Sequence, residues 1–120
     1  MKRILAGALF LVLAAPAAAE PLEADIRCRP AGTGPVYDCA ITLADPGTGS
    51  PVSDAQFTVG ADMPSMPMAH NVRPVAAVPA GEPGTYHARL ALEMHGTWTV
   101  KLLVSAPVQA RIHRSLDFFD

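Results

Sequence analysis

Turn signals cut this chain into short, regularly spaced pieces: "PAGTGP", "DPGTGSP", "VPAGEPG", and "HG" at residues 95–96. Proline and glycine in such combinations end regular elements and leave little room for long helices. The segments between them have strand length, and their apolar residues recur at every second position. Tyr37, Cys39, Ile41 and Leu43 fall on one face of "VYDCAITLA", and Phe57, Val59 and Ala61 repeat the spacing. In "TYHARLALE", Tyr86, Ala88, Leu90 and Leu92 oppose His87, Arg89 and Glu93. In "TWTVKLLV", Trp98, Val100, Leu102 and Val104 oppose Thr97, Thr99 and Lys101. The tail "PVQARIHRSLDF" alternates through Val108, Ala110 and Ile112. About seven short strands in roughly one hundred residues predict an all-β fold. The expected architecture is an immunoglobulin-like antiparallel β-sandwich, with a small closed barrel as the alternative. Trp98, on a cleanly alternating strand, is the expected core anchor.

The N-terminus reads differently. Met1-Lys2-Arg3 is a short positive segment, Ile4 to Ala15 is apolar, and Pro16-Ala17-Ala18-Ala19 supplies small residues. That order predicts a cleaved secretory signal over residues 1–19, with a single β-sandwich domain over 20–120. The apolar run is shorter than the roughly 20 residues a spanning helix needs, so an uncleaved anchor is the lesser alternative. Without Lys2 and Arg3, the nine basic residues become seven against eleven acidic ones, a net charge of −4 with histidine neutral. No basic block remains, which argues against nucleic acid and anionic membrane as partners. The expected location is periplasmic.

Cys28 and Cys39 are the only cysteines and sit in two strand-like segments joined by "PAGTGP". An oxidising compartment favours a disulfide between them. Closing so short a loop stabilises by about 3 kcal/mol in the chain-entropy account. A thiolate metal site is the alternative.

The unusual feature is "DMPSMPMAH", residues 62–70, which packs Met63, Met66, Met68 and His70 around Pro64 and Pro67. The only other methionine beyond Met1 is Met94, and His95 follows it directly. Proline disfavours the α region for the residue before it, so the stretch is expected to be stiff and extended, with little freedom to tuck its methionines away. Met94 and His95 are expected at the tip of a hairpin joining the strands on either side. Thioether sulfur is soft and neutral and imidazole is borderline, a pairing that suits Cu(I). Calcium and magnesium require oxygen, and zinc normally takes cysteine, histidine or carboxylate. Against this stands methionine's ordinary use as an adaptable packing residue. His87 and His113 lie on the polar faces of their strands and are expected at the surface. Asp62 is expected as a turn residue, with orientation of His70 as the alternative.

The order "DMPSMPMAH", then "PGTYHARLALEMHGTW", then "TVKLLV" resembles the YtkA-like/FixH-like family of small exported or membrane-anchored domains. The resemblance covers residues 57–104. It implies an immunoglobulin-like β-sandwich and a role in copper handling, including supply or assembly of copper-containing oxidases. Its methionine loop falls on Met63, Met66, Met68 and His70, its later methionine on Met94, and its tryptophan on Trp98.

Together these features predict a periplasmic copper-binding protein, a Cu(I) chaperone or buffer. Met66, Met68, His70 and Met94 are the expected ligands, with Met63 and His95 as alternates, and the expected partner is a copper-accepting membrane or periplasmic protein. No nucleophile with a nearby base, carboxylate pair or phosphate-binding glycine loop points to an enzyme. The competing reading is a non-metal interaction module that uses the Met-Pro loop as an apolar contact patch.

Overall fold

The computed structural model describes residues 20–66 and 71–119. The leader expected over residues 1–19 lies outside the described residues. Among them no helix is long and apolar enough to cross a membrane.

The described residues form eight strands: β1 (Glu23–Pro30), β2 (Val36–Ala44), β3 (Gln56–Asp62), β4 (Asn71–Ala76), β5 (Val78–Pro79), β6 (Thr85–Ala91), β7 (Gly96–Ala106) and β8 (Ala110–Phe118). They make two four-stranded sheets, ordered β1-β2-β6-β5 and β4-β3-β7-β8, and every strand pair is antiparallel. This is the immunoglobulin arrangement of strands A, B, E and D facing C and its neighbours F and G, with β4 extending the second sheet. The expected all-β sandwich is therefore the observed fold.

Period-two patterning explains the core directly. Tyr37, Cys39, Ile41 and Leu43 of β2 are buried, as are Tyr86, Ala88 and Leu90 of β6 and Trp98, Val100, Leu102 and Val104 of β7. Removing each large apolar side chain from water contributes about 1.5–3 kcal/mol. Aromatic pairs knit the two sheets together. Phe57 meets Tyr86 edge-on at 4.9 Å between ring centres, and Tyr37 meets Phe118 at 4.8 Å. Trp98 is fully buried, as expected of an anchor.

Two readings need correction, and one strand is new. The strands β6 and β7 are not a hairpin, because β6 belongs to the first sheet and β7 to the second. Residues 92–95 arch across the end of the sandwich instead. Both strands bury one face, and contributing to the core from opposite sheets satisfies that pattern without hydrogen-bonding them together. Val108 is exposed in the turn before β8, so the tail's alternation starts at Ala110. The edge strand β4, which contains Pro74, was not foreseen. A proline at an edge removes a donor the sheet does not need. Its ring packs over Gly60 of β3, where a Cβ would make ordinary van der Waals contact with the Pro74 Cγ at 3.4 Å.

The cysteines face each other in register on β1 and β2 and form a disulfide. Near the N-terminal edge, Arg114 of β8 donates to both carboxylate oxygens of Glu20, at 2.9 and 3.2 Å.

Candidate metal centre

Strand direction decides which connections meet. Val36 of β2 pairs with Ala91 of β6, and Asp62 of β3 pairs with Thr99 of β7. The end of β1, the end of β3, the 92–95 arch and the end of β8 therefore share one end of the sandwich. The backbone N–H of Leu92 donates to the Pro35 carbonyl at 2.8 Å, tying two of these connections together.

At this end Met63, Pro64, Ser65, Met66, Met94, His95, Gly96 and Thr97 line one cleft of about 580 Å³. The structure thus brings four of the six expected donors to one place: Met63, Met66, Met94 and His95. Met68 and His70 lie outside the described residues.

The four donors are not equivalent. Met66 is 45% exposed and Met94 40%, so both lie at the lip, whereas Met63 is only 5% exposed and packs with the core. The expectation of an extended stretch with little freedom to tuck its methionines away does not hold at Met63. Pro64, with φ held near −65°, suits the second position of a tight turn. The Met66 N–H closes that turn on the Met63 carbonyl at 3.0 Å, and Met63 is turned inward. Gly96 accommodates it. A Cβ at Gly96 would lie 3.0 Å from the Met63 methyl, and its φ of +146° is one that side-chain-bearing residues rarely adopt.

The arch is held by the core. The Trp98 indole N–H donates to the Met94 carbonyl at 3.1 Å, so the buried anchor fixes the backbone from which Met94 projects. His95 is half-buried, its Nε2 is shielded from solvent, and its ring meets Tyr37 edge-on at 6.2 Å. Sequence reasoning missed these supports. Gly96 was visible only as a turn residue and Tyr37 only as a core residue, and no local pattern ties either to the cleft.

Asp62 is the last residue of β3 and pairs with Lys101 of β7, not a turn residue as expected. The histidines expected at the surface are there. His113 points outward, and His87 lies 3.4 Å from Asp38 on the outer face of the first sheet. A second depression covers the disulfide between Arg27, Arg29, Asp38 and His87. Its carboxylate is already occupied, because the Arg89 Nε donates to Asp38 at 2.9 Å and holds that carboxyl below its ordinary pKa.

Among the described residues no three His, Cys, Asp or Glu side chains gather as a metal site. The cleft offers three thioethers and one imidazole, a set that matches soft cations, and no carboxylate is among its described lining residues to suit a hard one.

Fold and cleft together define an immunoglobulin-like sandwich with a sulfur-lined end. A family model, YtkA-like, matches residues 16–103, and the chain belongs to the YtkA-like family. The match does not extend to the FixH-like and copper-handling parts of the resemblance. No curated protein and no solved structure matches the chain.

Proposed function

We propose that this protein binds Cu(I) at the sulfur-lined end and passes it to a copper-accepting protein outside the cytoplasm. The observation that carries this reading is the convergence of Met63, Met66, Met94 and His95 on one cleft from two separate connections. Methionine needs no deprotonation to bind, so thioether ligands keep working where cysteines are oxidised. The Cys28–Cys39 disulfide and the leader pattern both support such a compartment. Membership of the YtkA-like family is compatible with a periplasmic copper-related role. Sulfur at an exposed lip suits ligand exchange with a partner, and the role is one of carriage, not catalysis. Met68 and His70 follow the turn directly in sequence and complete the proposed donor set.

Anaerobic Cu(I) titration of the protein against a competing chelator tests the assignment. Loss of outer-shell support alone typically costs 10–100-fold in metal affinity, so replacing Met66, Met68 and Met94 together with leucine should cost more than about 100-fold. Unchanged affinity in that variant refutes the site.

A second reading has one observation in its favour. Met66, Met94 and Phe119, at 59% exposed, are large apolar side chains at the same end of the sandwich. A partner protein could use them as a contact patch without metal. Partner binding that survives complete chelation of copper would favour this reading.

A further inference from the structure

The surface sulfur of the described residues is concentrated at one place. Both cysteines are consumed in the disulfide and no described cysteine is free. Met63 is nearly fully buried, which leaves Met66 and Met94 as the exposed thioethers among the described residues. Both line the same cleft. Of the described thioethers, an oxidant therefore meets the cleft's own Met66 and Met94 first.

We infer that oxidation of Met66 and Met94 to sulfoxides by a peroxide switches the cleft off, an inference that rests on the Cu(I) reading above. In the step, a sulfur lone pair attacks one oxygen of hydrogen peroxide and the O–O bond breaks. An S–O bond forms, and the second oxygen leaves as water with both protons. Sulfur gives up two electrons and the peroxide takes them. The product presents a polar oxygen where a soft ion needs sulfur, so the modified cleft no longer matches Cu(I). Met63, packed beneath Gly96, keeps its thioether. Reduction of the sulfoxides restores the donors, so the change is reversible in a way that cysteine over-oxidation is not.

The test uses the full chain, stripped of copper and treated with hydrogen peroxide. Oxidation is read at each methionine by peptide mapping, and Cu(I) affinity is measured before and after. Met66 and Met94 should oxidise at least about fivefold faster than Met63. Affinity should fall about 100-fold and return after treatment with methionine sulfoxide reductase. A parallel series carrying Met68→Leu removes any contribution from that residue, and a Met66→Gln/Met94→Gln variant should reproduce the loss without oxidant. Equal oxidation of Met63 would overturn the exposure argument. Full sulfoxide formation at Met66 and Met94 with unchanged Cu(I) affinity would overturn the switch alone. An untreated protein that binds no Cu(I) is a distinct result, which defeats the copper reading and the switch with it.

Discussion

At the end of the sandwich that carries residues 45–55, polar groups hold the connections in place; at the end that carries Met66 and Met94, sulfur faces solvent. The Tyr86 hydroxyl donates to the Val52 carbonyl at 2.6 Å and accepts from the Ala55 N–H at 2.9 Å. The Asp45 carboxylate accepts from the N–H groups of Gly47 and Thr48, and the Ser53 hydroxyl accepts from Gly84 N–H at 3.0 Å. Gly84 has a φ of +72°, and a Cβ there would fall 2.7 Å from Pro51. At the sulfur end the core supplies supports of its own: the Trp98 indole on Met94, Gly96 beside Met63, and the Tyr37 ring against His95. One end is tied together by its own polar side chains. The other is supported from the core and carries the exposed Met66 and Met94 at its lip. The difference separates stability from binding, and it can be broken experimentally.

The largest stability effect should come from the frame both ends share. Replacing Cys28 and Cys39 with alanine releases the β1–β2 hairpin and should lower unfolding free energy by about 3 kcal/mol, read from urea midpoints. Cu(I) affinity of the folded variant should be unchanged, because neither sulfur lines the cleft. If affinity falls with stability, the two ends are not independent.

A smaller effect contrasts the ends directly. Tyr86→Phe keeps the ring against Phe57 but removes both hydroxyl bonds, leaving a carbonyl and an N–H without their partner. The cost should be about 2 kcal/mol, with Cu(I) affinity intact. Met94→Leu, its counterpart at the open end, should change stability by no more than about 0.5 kcal/mol while weakening Cu(I). Thermal unfolding and titration of the pair read both properties. A stable Tyr86→Phe protein alongside an unstable Met94→Leu one would reverse the comparison.

Much of this architecture was legible from side-chain parity. A strand that buries one face must alternate, and β2, β6 and β7 alternate without interruption. Parity identifies the buried face but not the neighbouring strand. Four residues can close a hairpin or arch between sheets, so the 92–95 connection was misread while the meeting of Met94 with the methionine loop was still anticipated. The same limit applied within the loop. Met63 and Met66 are chemically identical, and their division into a buried and an exposed sulfur depends on the turn at Pro64 and the missing side chain at Gly96. The short β5 and the proline-bearing β4 carried too little alternation to be seen.

The smallest expected effect lies between the two ends, on the outer face of the first sheet. Arg89 donates to Asp38, and His87 and Arg29 add favourable charge, so the folded protein holds that carboxyl below its ordinary pKa. A carboxylate whose pKa is depressed on folding stabilises above the unfolded pKa, and that contribution is lost as pH falls through the folded value. Stability should therefore decline on acidification below about pH 4, and Asp38→Asn should make the decline shallower. It should not abolish it, because Arg114 likewise holds Glu20 below its ordinary pKa. Urea midpoints between about pH 2 and 7 read the difference. Asp38 is solvent-facing, so the effect should shrink further in high salt, as exposed ion pairs do. Equal acid sensitivity in the wild type and Asp38→Asn would show that the pair adds nothing, leaving the acid limb to Glu20 and the remaining carboxylates.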